Sequence, residues 1–249
     1  MALISDEGFL ISSVKWRESS LIVRWFTRDS GKVSIIIRGA RRPKSHIGPY
    51  LNSFNRLNLQ YYLRKGSDLG SLKEADPVET YPSLRTDLDR FAAASFFFEI
   101  LDKGLPSLEP HPDLFRLTSD FLERMKSEKY KIGDAPFFFL RLVSGMGYEP
   151  SVEQCAECGR SGNLDYFDIS KGQSLCQKCG KPGADTIPLN KNLRDKISMN
   201  LEARNFQKAV TMPFEILSNF YKLLEFHLEY HFESRIKSAK FLIDLLNNQ

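Results

Sequence analysis

The amino-acid sequence predicts an α+β protein: an N-terminal β-barrel, then a helical domain into which a small four-cysteine ribbon is inserted. Three observations predict it. Short runs rich in β-branched and aromatic residues, at period two, fill the first 80 residues. From Tyr81 apolar residues recur at helical spacing instead. All 4 cysteines fall into two pairs, Cys155/Cys158 and Cys176/Cys179, with 17 residues between the pairs. The expected division is therefore 1–80 for the barrel, 81–150 and 187–249 for the helical domain, and 151–186 for the ribbon.

The barrel strands are expected at Phe9 to Trp16, Ser20 to Thr27, Gly31 to a break at Gly39, Leu57 to Leu63 and Leu69 to Glu79. Arg28-Asp-Ser-Gly31 and Lys65-Gly-Ser-Asp68 supply turns between them. This pattern, with little helix, fits an OB-like or SH3-like barrel. Trp16, Trp25, Phe26, Tyr61 and Tyr62 lie near cations, as in single-strand-binding surfaces that stack bases on aromatic rings. The plain alternative is barrel core, and at least half of these rings are expected there. Alternation puts Arg24 and Phe26 on the face opposite Val23 and Trp25, so not all four are expected inside.

Charge is unevenly spread. The chain carries +4 overall, but residues 1–65 hold 12 Lys and Arg against 4 Asp and Glu, a net of +8, leaving −4 for the remainder. A basic N-terminal third points to a polyanion partner for that third. The densest part follows the third strand, where Arg38, Arg41, Arg42 and Lys44 occupy a short loop with no acid among them. Such a loop can grip a phosphate backbone, or it can simply protect a sheet edge from aggregation. With Arg24 and Lys32 on the adjoining strands, these four make up the candidate nucleic-acid contacts.

Several of these segments carry a resemblance. Glu18-Ser-Ser-Leu-Ile-Val23, Phe26-Thr27, Gly31-Lys-Val33 and Arg38-Gly-Ala-Arg-Arg-Pro-Lys-Ser45 are similar to the N-terminal domain of the RecO family of bacterial recombination-repair proteins. That resemblance implies an OB fold and DNA binding.

The middle of the chain reads as helix. Ser83 can cap a helix running through Leu84, Leu88 and Phe91 to Leu101 and closing near Gly104. Asp113 to Lys126 and Phe137 to Met146 follow, the last opened by Asp134 and Pro136. The phenylalanine runs at 96–98 and 137–139 are apolar on all sides, which places them in a core. No glycine-rich phosphate loop, Walker-type lysine motif or nucleophile elbow occurs, so nothing marks an enzyme.

The cysteine spacing is that of a four-thiolate zinc site; disulfides or a redox pair are the weaker readings for a chain with no export signal. Two residues between cysteines let both sulfurs reach one tetrahedral ion, and Gly159 and Gly180 after each pair permit a positive φ. A hairpin of Asn163–Asp168 and Gln173–Leu175 is expected to link the two pairs across Ser170-Lys-Gly172. With four protein ligands the zinc would be structural, one ion per chain. Gly147-Tyr-Glu-Pro150 and Tyr166-Phe-Asp168 extend the resemblance to zinc-containing members of the same family.

Beyond the ribbon, Asn192 to Ala203 and Phe214 to Tyr230 have helical patterns. Leu223-Leu-Glu-Phe-His-Leu228 and Ser234 to Leu242 resemble the family's closing segment, although Glu233-Ser234 stands where a glycine is expected before the arginine. His227 and His231 share a helical face but lack a third ligand at motif spacing, so they read as helix-surface residues. Arg235, Lys237 and Lys240 either extend the basic surface or solvate a helix end.

The reading that follows is a non-enzymatic, DNA-binding mediator of recombinational repair, cytoplasmic and nucleoid-associated, with no membrane segment. The resemblance implies binding of single-stranded and duplex DNA and annealing of complementary strands. It also implies contact with RecR and with the acidic C-terminal tail of the single-strand-binding protein, assisting RecA loading. Arg116, Arg124 and Arg141 are candidates for holding such a tail. The rival classes are a zinc-ribbon scaffold that binds RNA and a metal-dependent nuclease. The second would need an open metal position or a carboxylate cluster, and the motifs supply neither.

Overall fold

The computed structural model describes residues 2–183 and 185–248. They form two compact units. The first holds the chain up to Leu88 together with Phe98–Lys126; the second holds Asp89–Phe97 and the chain from Ser127 onward.

In the first unit, β1 (Ala2–Trp16), β2 (Ser20–Thr27), β3 (Gly31–Ile37), β4 (Arg56–Leu63) and β5 (Leu69–Glu79) close a barrel in the order β1-β2-β3-β5-β4. Every pairing is antiparallel except β3 with β5. This is the OB arrangement. β1 begins seven residues earlier than the pattern indicates, because Ser5, Asp6 and Glu7 break the apolar alternation there. Its first part pairs with β4 and its second with β2, with a bulge between Leu10 and Ser12 where the strand changes neighbours. The interior is filled by Leu10, Val23, Trp25, Val33, Ile35, Leu57 and Tyr61, all supplied by inward-facing strand positions.

Behind the barrel come α1 (Ser83–Thr86), α2 (Leu88–Gly104) and α3 (Pro112–Lys126). The single helix expected from Ser83 is two. Asp87 leaves the helical region at φ −117°, ψ 116°, and the Thr86 hydroxyl donates back to the Ser83 carbonyl at 3.2 Å. The alternation argument holds for Arg24, which is exposed, but helix residues cover the other outward-facing side chain. Phe26 points away from the interior yet is fully buried, because the Phe115 ring lies 5.8 Å away. Phe9 meets the same ring at 4.9 Å and Phe98 at 6.3 Å. Part of the barrel's outer surface is thus a second core, and Val23, Trp25 and Phe26 are all inside. Of the five aromatics, Trp25, Phe26 and Tyr61 are core, while Trp16 and Tyr62 remain exposed.

In the second unit, α4 (Ala135–Gly145), α5 (Lys191–Glu202), α6 (Phe214–Phe232) and α7 (Lys237–Asn247) pack with residues 89–97 of α2. The phenylalanine runs are core, as their composition predicts. Phe139 lies 5.1 Å from Phe96, 5.6 Å from Phe97 and 5.3 Å from Tyr221. Between α4 and α5 sits the ribbon, a small antiparallel sheet of β6 (Leu164–Asp168), β7 (Gln173–Cys176) and β8 (Thr186–Pro188) in the order β7-β6-β8.

The missing glycine has a structural consequence. Glu233 closes α6 in the left-handed region at φ 49°, ψ 33°, the position glycine normally fills after a helix. An L-residue there is strained by roughly 1 kcal/mol or more, partly offset by the greater freedom glycine has when unfolded. Glu233→Gly should therefore stabilise the protein by about 0.5–1 kcal/mol, read as a melting temperature raised by about 1–4 °C.

Candidate functional site: a basic barrel loop and a four-cysteine centre

β3 ends at Ile37, and Gly39 turns the chain out of the sheet at φ 68°. Arg38, Arg41, Arg42 and Lys44 follow, all exposed. Among the described residues no carboxylate pairs with any of the four. The loop is nonetheless stitched in place. Arg42 N–H donates to Gly39 O and Ser45 N–H to Arg42 O, each at 3.0 Å. Arg41 reaches the turn between β1 and β2, its backbone N–H donating to Ser19 O and its guanidinium to Glu18 O, both at 3.0 Å. Four cations are thereby displayed together, without internal counter-charges.

Arg24 and Lys32 are placed differently. Arg24 grips both carboxylate oxygens of Asp102 at 2.8 Å. Lys32 is only 9 % exposed, donates to the Asp102 carbonyl, and lies 3.7 Å from its carboxylate. Burial lowers the Lys32 pKa against the opposing attraction of Asp102. The cause is register: Lys32 pairs with Phe26 and so shares the face that Phe115 covers. Lys32 therefore serves packing inside the first unit and is withdrawn from the nucleic-acid set, and Arg24 is committed to Asp102.

The arginines considered for a partner also divide. Arg116 is exposed and paired with Asp113 at 2.9 Å, and Arg124 is half-buried on α3. Arg141, in the other unit, closes the end of α5: its guanidinium donates to the carbonyls of Asn200 at 3.3 Å, Leu201 at 2.8 Å, and Ala203. It also lies 5.4 Å over the Phe137 ring. Those carbonyls have no partner within the helix, so Arg141 acts as a cap and is removed from the partner set.

The four cysteines converge: one sulfur from each of Cys155, Cys158, Cys176 and Cys179 lies within 4.8 Å of every other. Cys155 and Cys176 are buried, while Cys158 is exposed. Burial opposes ionisation of Cys155, but the backbone N–H groups of Cys176, Cys158 and Glu157 outweigh it and bring the thiol down to about 6. The N–H of Cys179 likewise lowers Cys176, whereas Cys179, donating to its neighbours, is held up at about 12. Amides aimed at sulfur prepare thiolates for a cation, and a soft divalent ion fits this donor set. The two glycines have different duties. Gly159 adopts φ 69° as expected, but Gly180 does not take a positive φ; any Cβ there would meet Tyr166 Cδ2 at 2.6 Å.

The ribbon is held to its unit by a residue that the pattern placed on the surface. His227 is 2 % exposed, with Nδ1 3.0 Å from Ile169 O and Nε2 3.1 Å from Tyr148 O. Gly172 leaves room for this contact, since a Cβ would stand 2.8 Å from His227 Cε1. That glycine also adopts φ 66°, so in the sequence it reads as an ordinary turn residue and gives no separate signal of the approach. His231 is half-buried, its pKa lowered by burial and then by His227.

A closed barrel of OB order, carrying an exposed cationic loop and followed by helices with a four-cysteine ribbon, defines the class: an OB-fold protein with a candidate metal centre. Comparison with known proteins narrows it. Residues 1–81 match the family model described as recombination protein O N terminal, and residues 85–240 the one described as recombination protein O C terminal. The DNA repair protein RecO of Geobacter sulfurreducens is 32% identical over 244 residues, 97% of this chain and 98% of the relative. That of Geobacter metallireducens is 35% identical over 184 residues, covering 73% and 75%. That of Caldanaerobacter subterraneus is 28% identical over 248 residues, covering 98% and 99%. The chain belongs to the RecO family of DNA repair proteins. Among its described residues no helix is long and apolar enough to cross a membrane.

Removing the histidine tests the anchor. His227→Ala should remove the ring packed between the Ile169 and Tyr148 carbonyls, with the N–H it donates there, and open a cavity, a loss of about 2–4 kcal/mol. Hydrogen exchange should quicken at Ser151 and Ser174, whose N–H groups bond to Gly172 O and Ser151 O at 2.8 and 2.9 Å.

Proposed function

We propose that this chain is a non-enzymatic mediator of recombinational repair. It binds single-stranded and duplex DNA through the barrel and anneals complementary strands. With RecR, it helps RecA load onto DNA coated by the single-strand-binding protein. The observation that carries this reading is the set of four exposed cations, without a carboxylate partner, on the β3 loop of an OB barrel in a RecO-family chain. Phosphate contacts of that kind give affinity without sequence preference, which suits a protein acting wherever strands are exposed. Annealing needs strands brought together and no activated nucleophile. The acidic tail of the single-strand-binding protein is assigned to Arg116 and Arg124 on α3. The test is strand annealing on DNA coated with the cognate single-strand-binding protein, without ATP. Acceleration supports the reading; failure to anneal, or equal preference for RNA of the same sequence, would favour a scaffold that binds RNA. Cleavage of DNA in magnesium that copurifies with the chain would favour a nuclease.

The ion assigned to the cysteines is zinc. Cys158 Sγ and Cys176 Sγ lie 3.8 Å apart, which is the edge of a tetrahedron with zinc–sulfur bonds of about 2.3 Å. Zinc held by four thiolates would fix the fold of the ribbon and leave no position for substrate. Elemental analysis of protein prepared without chelators should find one zinc per chain. Cys158→Ser should release it and loosen residues 150–185, while DNA affinity at the barrel stays within about twofold.

If Arg41, Arg42 and Lys44 hold phosphates, replacing all three with Ala should lower the log–log salt slope for single strands by about two, roughly 0.7 per contact. Exposed loop charges contribute little to stability, so the melting curve should hardly move. An unaltered slope with increased aggregation would instead make the loop an edge protector.

A further inference from the structure

Phosphate binding leaves one part of the first unit unexplained. β1 runs past its pairing with β4, and Ser12–Trp16 pair with β2 alone. Val14 stands opposite Ile22, and Ile22 opposite Ile36. Alternation therefore puts Val14, Trp16, Ile22 and Ile36 together on the outer face, away from Val23, Trp25 and Ile35 inside the barrel. Unlike Phe26, this stretch stays open to solvent. Val14 is 59 % exposed and Trp16 43 %, with Ile22 and Ile36 half-buried beside them.

The turn after Trp16 adds two features. Arg17 adopts φ 53°, a conformation L-residues rarely take, and its guanidinium lies 6.0 Å from the centre of the Trp16 ring. The two Arg41 bonds to Ser19 and Glu18 also join this turn to the cationic loop. An indole, an aliphatic strip and a cluster of cations are thus assembled on one edge. A lone exposed tryptophan would call for no explanation; one set in an apolar strip, and joined to unpaired cations, matches the chemistry of an unstacked strand.

We infer that Trp16 is a stacking platform for an unpaired base of single-stranded DNA, flanked by Val14 and Ile22, with Arg17 and the β3 loop seating the neighbouring phosphates. This rests on the DNA-binding reading above and adds selectivity to it. In a duplex each base face is covered by its neighbours, whereas a single strand offers faces to an aromatic ring. Trp16 therefore favours the single strand, and the loop cations serve both forms.

The chain has 2 tryptophans, and Trp25 is fully buried, so quenching of the exposed fluorescence reports on Trp16. Titration with an unstructured oligothymidine should quench that emission; a duplex of equal length should not. Trp16→Leu should abolish the quenching and weaken single-strand affinity about tenfold, with duplex affinity unchanged. The salt slope should also stay the same, because no charge is removed. Trp16→Phe keeps an aromatic face and should retain most of the affinity. Single-strand binding without quenching, or a Trp16→Leu variant with the original preference for single strands, would overturn the platform while leaving the proposed function standing. Failure of the unaltered protein to bind any DNA would overturn both.

Discussion

Everything in the first unit depends on β1 serving two neighbours. A five-stranded sheet has two free edges unless one strand bridges them, and β1 does so by pairing with β4 along its first half and β2 along its second. The bulge at Leu10–Ser12 lets one strand change partners without losing its inward-facing residues. Closure removes the exposed edges and fixes the register of β2 and β3. That register decides which cations are covered and which are displayed. It also leaves the far end of β1 paired with β2 alone, while β2 stays paired with β3.

Charge in the N-terminal third is better understood by partner than by sum. Arg24 and Lys32 are committed to Asp102, Arg28 stands by Glu7 and Asp29, and Arg56 lies 3.3 Å from Glu7. In each of these pairs a carboxylate of the same unit offsets the cation. What remains lies on the β3 loop, on the β1–β2 hairpin at Lys15 and Arg17, and on the β4–β5 turn at Arg64 and Lys65, with the β3 loop holding the largest group. The excess of positive charge in the sequence is thus divided between cohesion and recognition, and the second share is the more concentrated.

The barrel, the helices and the convergence of the cysteines were legible because each rests on a local period or spacing. Misreadings arose where a distant segment decided the outcome. Phe26 was placed on the barrel's outer face correctly, but strand alternation does not foresee the ring of Phe115 that buries it there. Lys32 looked free because Asp102 lies seventy residues further along the chain. His227 looked like a surface residue because its partners, Ile169 and Tyr148, belong to other segments. Arg141 was indistinguishable from any helix arginine until the end of α5 was in place. Gly180 shared a motif with Gly159 but answers to Tyr166, not to its own dihedral angle. Contact with remote backbone or rings leaves little trace in a local pattern.

The division of α2 between the two units bears on how the chain can be taken apart. The family models meet between residues 81 and 85, and that boundary suggests a place to cut. A fragment ending there would keep all five barrel strands but lose Phe98 and Phe115, the rings that cover Phe9 and Phe26. It would expose an apolar patch on a sheet and discard Asp102, stranding Lys32 without its counter-charge. The border marks a seam of inheritance and not of packing: the unit that holds the barrel also takes in Phe98–Lys126.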